Sequence, residues 1–176
     1  MLLRILVPLA ATAALFAAED RKVDPTWLRR HVPDVQPQPS DLTTAACRYK
    51  PVFGAGDPDS RVARGVARFG EMTVDAGGSS AVVNYPGEEQ VYVILEGSGT
   101  VKYGNDSVPV KKHDFMYFAP GVPHALTASA GGPCRAVVMG FRLPAGTDIT
   151  PAPKLPIANM EEVKKEVVGN HPPTTL

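Results

Sequence analysis

The sequence has little of what many chemistry-bearing families depend on. It holds only two cysteines, Cys47 and Cys134, and no C-x-x-C pair, which excludes a zinc ribbon and a thioredoxin-type redox centre. Neither sign of charge is in excess: 18 Lys and Arg balance 18 Asp and Glu, with no basic run or basic amphipathic helix, so no long-range field draws the chain to nucleic acid or an anionic membrane. Also missing are a G-x-S-x-G elbow, a phosphate-binding glycine loop and an H-E-x-x-H helix, which removes the usual serine hydrolases, P-loop nucleotidases and helical zinc proteases. The apolar stretch that ends at Ala18 is too short for the about 20 residues a membrane-spanning helix needs. With Arg4 near its start and Glu19-Asp20-Arg21-Lys22 after it, residues 1–18 read as a secretory signal peptide, with an N-terminal core helix or an uncleaved anchor as the alternatives. Export implies a secreted or periplasmic protein and no membrane contact once the signal is removed.

What is there is ordinary globular material. A composition of 44% hydrophobic and 20% charged residues in 176 fits one domain that buries roughly two thirds of its surface. In an oxidising compartment Cys47 and Cys134 could pair as one disulfide; the alternative is two buried thiols. Residues 19–60 form an extension rich in proline and polar residues. Asp24-Pro25-Thr26-Trp27 offers a cap and first turn for a short helix, with Trp27 over an apolar edge, and Pro33, Pro37, Pro39 and Pro51 then favour extended chain wrapping the domain.

From about residue 61 to 143, short apolar segments alternate with glycine- and asparagine-rich breakers. Strands are expected near Val62–Val74, Ala81–Asn84, Gln90–Leu95, Thr100–Tyr103, Ser107–Val110, Phe115–Phe118, His124–Thr127 and Cys134–Leu143, which predicts an all-β barrel or sandwich. Residues 144–176 turn proline-rich again. They allow one helix over Met160–Val168, capped by Asn159 and stopped by Gly169, before a linker-like end.

The core of this pattern is the stretch from Asn84 to Thr127. Gln90, Tyr92 and Ile94 alternate with Val91, Val93 and Leu95, and Glu96-Gly97-Ser98-Gly99 then predicts a hairpin. Farther on, the turn Pro120-Gly121-Val122-Pro123 delivers His124 to the start of another strand. These residues resemble the cupin superfamily, small β-barrels whose two motifs frame one pocket. In the second motif Gly121 and His124 match and Asp114 fits the usual Gly-Asp turn, while His113, Ala119 and Ala128 stand where the family has glycine, proline and asparagine. In the first, Gln90 lies at the glutamate position counted back from Gly97. The histidine positions fall on Asn84 and Pro86, or on Val83 and Tyr85, and neither pair supplies an imidazole.

The resemblance implies a cupin-like jelly-roll barrel or sandwich with terminal extensions containing short helices. It also implies a pocket facing His124, with Tyr85, Gln90 and Tyr92 beside it if strand alternation keeps them inside. An aromatic wall with a few convergent polar groups suits a small polar ligand such as a sugar or a carboxylic acid. A divalent metal (Mn, Fe, Ni or Zn) would have His124, Gln90 and Glu89 as ligands. Glu88 and Glu89 otherwise read as solvated acids of the Pro86-Gly87 turn. His31 and His113 are expected at surface turns, and His171 in the tail carries no role. Some cupins pair two barrels, so a second barrel or a homodimer is an expected partner. Two functions follow: a secreted small-molecule binder, or a metal-dependent oxygenase, isomerase or decarboxylase.

Overall fold

The computed structural model describes residues 29–57 and 64–164. The expected signal peptide, the helix at Trp27, the start of the barrel near Val62 and the tail with His171 lie outside those residues. Nine strands run through the described chain: β1 (Cys47–Gly54), β2 (Val66–Val74), β3 (Glu88–Glu96), β4 (Ser98–Tyr103), β5 (Asp106–Lys111), β6 (Asp114–Phe118), β7 (His124–Ala128), β8 (Cys134–Arg142) and β9 (Ile157–Asn159). Six of them form one sheet in the order β1-β2-β8-β3-β6-β9, and three form a second in the order β5-β4-β7, all antiparallel. This is the jelly-roll sandwich the alternating segments call for. The only helical turn among the described residues is a short one at Val32–Asp34.

Alternation decides the core. β3 buries Gln90, Tyr92 and Ile94 and leaves Val91, Val93 and Leu95 on the other face, while β8 buries Cys134, Ala136, Val138 and Gly140. Tyr92, Ile94, Val138, Met116, Phe118 and Leu126 pack with Tyr49 and Met72 into one cluster between the sheets.

The structure departs from sequence expectation at four places. The segment Glu96 to Gly99 is a crossover rather than a hairpin: β3 pairs with β6 and β8, whereas β4 pairs with β5 and β7 in the other sheet. Gly97 makes that crossing possible, since it has φ 79° and a Cβ there would collide with the Pro133 carbonyl. Part of the proline-rich N-terminal extension is strand β1, an edge strand where Pro51 needs no ladder N–H. Ala81–Asn84 joins the sheet only through a single bridge, Val83 to His124. Lastly, Asn159 ends β9 and caps a turn, its Oδ1 accepting from the Glu161 N–H at 3.0 Å; the expected helix is absent over Met160–Lys164, and its remainder falls outside the described residues.

The cysteines resolve to thiols. Cys47 pairs in register with Val74, and Val74 with Cys134, so the two sit two strands apart, about 10 Å, beyond the about 7 Å limit for a disulfide. Both are buried, and burial pushes each thiol up to about 11.

Candidate functional site at the barrel mouth

The second-motif turn does what its sequence suggests. Gly121 takes φ 77°, its N–H donates to the Tyr85 carbonyl at 3.2 Å, and the next strand begins with His124 held between Val83 and Tyr103. His113, standing where the family has glycine, itself adopts φ 71°, the left-handed conformation that favours glycine, and its Nδ1 lies 2.7 Å from Glu161.

His124 is enclosed. It is 2% exposed, with Phe118 at 4.4 Å between ring centroids, Tyr92 at 5.6 Å and Tyr85 at 5.9 Å. Its Nδ1–H donates to the Val122 carbonyl at 2.9 Å, which leaves Nε2 as an acceptor facing Tyr92 Oη at 3.4 Å. Burial lowers its pKa to about 4, so at neutral pH the ring is uncharged. Burial likewise pushes the Tyr92 and Tyr85 hydroxyls well above the ordinary phenol range, and both keep their protons.

The polar centre lies one row farther out, on residues whose role the sequence does not advertise. Arg68 (β2), Gly140 (β8) and Gln90 (β3) are cross-strand partners on the inner face. The Arg68 side chain is 9% exposed. Its Nη1 donates to Asp41 Oδ1 at 2.8 Å and to Tyr85 Oη at 2.9 Å, its Nε to Glu88 Oε2 at 3.1 Å, and its guanidinium stands 3.9 Å from the Tyr85 ring centroid. Burial works against the charge, but Tyr85, Asp41 and Glu88 outweigh it and raise the Arg68 pKa. Gln90 Nε2 donates to the same Glu88 oxygen at 2.7 Å. Gly140 gives this cluster its room: a Cβ there would lie 2.5 Å from Gln90 Nε2 and 2.7 Å from Arg68 Cγ.

Two polar atoms in this region have no hydrogen-bond partner among the described residues, Gln90 Oε1 and Tyr49 Oη. Tyr49 and Arg68, with Gln38, Ser40, Asp41 and neighbours, line a cleft of about 230 Å³ at the barrel mouth.

Tyr85, Gln90, Tyr92 and His124 are therefore brought to one region, but as parts of a filled interior. Glu89 does not join them. It belongs to the opposite face of β3 and accepts from the Tyr117 hydroxyl at 3.2 Å, because residues adjacent in a strand point to opposite sides. Glu88 is the inward glutamate and a bonded strand residue rather than a solvated turn acid.

Comparison with known proteins agrees with this architecture. A sequence profile described as "Cupin domain" matches residues 70–140, a span that includes Gln90, His124 and Gly140 and begins two residues after Arg68. The chain carries a cupin domain. A similar sequence is an uncharacterised protein of Methanocaldococcus jannaschii, 28% identical over 71 residues, 40% of this chain and 57% of that one; the chain thus spans little more than half the relative's length. Among solved structures, the cupin fold here is similar to a "predicted oxalate decarboxylase" from Thermotoga maritima (17% identity, 66% of this chain and 100% of that one, TM-score 0.57). It is also similar to the polyketide cyclase RemF from Streptomyces resistomycificus (19%, 76% and 85%, TM-score 0.53) and to the Cnp3 cupin domain of Schizosaccharomyces pombe (15%, 66% and 74%, TM-score 0.52). Identities this low speak for the fold alone.

Cupins often hold a divalent metal, and the residues of this barrel do not fit one. Among the described residues no three His, Cys, Asp or Glu side chains converge. The single imidazole faces a phenol and aromatic walls, Tyr85 stays protonated, and Gln90 is a weak neutral donor. A fixed cation is already in the mouth, the Arg68 guanidinium.

Proposed function

We propose that this cupin domain belongs to an exported small-molecule binder that takes a small, neutral, hydroxyl-bearing ligand, a sugar or polyol, in the cleft beside Arg68 without a metal. One observation carries the reading: a guanidinium nine-tenths buried at the floor of an open cleft, with its charge already countered by Asp41 and Glu88. Arg68, Asp41 and Glu88 together leave the mouth with one net negative charge, which repels a carboxylate. A carboxylic acid would have to displace Asp41, whereas a hydroxyl can donate to the half-exposed Asp41. The cleft, about 230 Å³, is below the ~300–1,000 Å³ of pockets for drug-sized ligands, so the ligand is small. The interior residues Tyr85, Gln90, Tyr92 and His124 support the floor from beneath.

The test is a thermal-shift panel of monosaccharides, polyols and hydroxy acids, each run against the wild type and Asp41→Ala. A ligand at 100 times its Kd stabilises by about 2.7 kcal/mol, a shift of several degrees. The reading expects neutral polyols to raise the wild-type midpoint and to lose that effect in the variant. Hydroxy acids acting where polyols do not would contradict it. Export is checked separately by the N-terminal residue of protein recovered outside the cytoplasm, expected near residue 19.

A further inference from the structure

Beyond the row of Arg68, Gly140 and Gln90 the inner face continues one step toward the rim, and there register sets Glu88 of β3 directly opposite Arg142 of β8. Opposite charges at facing positions of an antiparallel pair ordinarily meet, because their Cβ atoms lie only ~4.5–5.5 Å apart. These two do not, since each is held by other partners. Glu88 leans inward: its Oε2 accepts from Arg68 Nε at 3.1 Å and from Gln90 Nε2 at 2.7 Å, and lies 3.0 Å from where a Cβ at Gly140 would stand. Arg142 leans the other way, its Nη1 donating to the Arg64 and Val66 carbonyls, both at 2.6 Å. The splayed pair, with Asn84, Tyr85, Pro86 and Leu143, lines a cleft of about 380 Å³.

We infer that this second cleft binds a small zwitterion, an amino acid with a short aliphatic side chain, its ammonium on Glu88 and its carboxylate on Arg142. The atoms left over have the chemistry for it. Both bonds to Glu88 fall on Oε2, so Oε1 can accept from an ammonium. Both bonds from Arg142 leave Nη1, so Nε–H and Nη2–H, the parallel donors on one edge of the guanidinium, can take a carboxylate. Two main-chain carbonyls already fix that guanidinium, which lowers the cost of ordering it on binding. The charges agree. Asp41, Arg68 and Glu88 sum to one negative charge and Arg142 adds one positive, so a ligand of a single sign unbalances the site and a zwitterion does not. Tyr85, Pro86 and Leu143 supply the apolar wall, and the volume falls at the small end of the ~300–1,000 Å³ of ligand pockets. No residue lines both this cleft and the one beside Arg68, so the two can be tested separately.

Titration calorimetry of the full chain at pH 7 with alanine and valine tests this, beside their amides, which keep only the ammonium, and their N-acetyl forms, which keep only the carboxylate. Both amino acids should bind, and every singly charged form should bind about 10-fold more weakly or worse, the loss of one charged hydrogen-bonded contact. Arg142→Gln should weaken the amino acids to the level of their amides. Arg142→Lys, which keeps the charge but not the fork, should restore only part of the affinity, with circular dichroism confirming the fold of both variants. Should Arg142→Gln fail to fold, the comparison among ligands decides alone. No heat from either amino acid, amides or N-acetyl forms that bind as tightly as their parents, or a folded Arg142→Gln with unchanged affinity overturns the inference.

Discussion

Replacing Arg68 with methionine keeps most of the side-chain volume but removes the cation that ties β2, β3 and the Asp41 loop together. The magnitude follows from exposure at each partner. Asp41 is 47% exposed and regains water, so that ion pair contributes only about 0–1 kcal/mol. Glu88 is 22% exposed and keeps only the Gln90 amide. Losing a hydrogen bond between charged groups in a desolvated position costs about 1.5–3 kcal/mol, and the bond to the uncharged Tyr85 hydroxyl adds about 1. Arg68→Met should therefore destabilise by about 3–4 kcal/mol in urea denaturation at pH 7, with an unchanged m-value. Most of that loss sits at Glu88, so adding Glu88→Gln should recover at least half of it, while adding Asp41→Asn should recover little. A loss under about 1 kcal/mol, or rescue by Asp41→Asn in place of Glu88→Gln, would refute the argument that Arg68 is the organising charge.

The enclosed His124 predicts a pH dependence of definite sign. Its folded pKa lies near 4, below the ordinary 6.5, so the stabilising difference is complete above 6.5 and is lost as pH falls toward 4. The loss is about 3 kcal/mol, and urea midpoints of His124→Asn should lack that part of the slope; parallel slopes would sink the reading. The two thiols are expected to stay silent to a thiol reagent in the native state and to titrate as two per chain in denaturant, under non-reducing conditions. A disulfide would give none.

Much of the barrel was legible because it is written in period two. Gln90, Tyr92 and Ile94 against Val91, Val93 and Leu95 announce a strand and its two faces, and Gly121 before His124 announces the corner that presents the ring. What stayed hidden depends on register, which no local pattern encodes. Arg68 reads as one of several charges in an irregular segment until β8 places Gly140 between it and Gln90. The choice between Glu88 and Glu89 turns on where β3 begins, a single residue of phase. Gly97 signals a sharp change of direction, but whether the chain returns along its own sheet or crosses to the other depends on pairing with strands distant in sequence. Strands β1 and β9 were masked by prolines, which edge positions accommodate and interior ones do not.

Elemental analysis of the purified chain after reconstitution with Mn, Fe, Ni and Zn tests the central claim most directly, namely that a guanidinium and a neutral, enclosed imidazole occupy the barrel without coordinating a metal. The account predicts substoichiometric metal after dialysis and a thermal midpoint indifferent to chelator. One equivalent retained by the wild type, released by chelator with a fall in midpoint and abolished in His124→Ala, would contradict it.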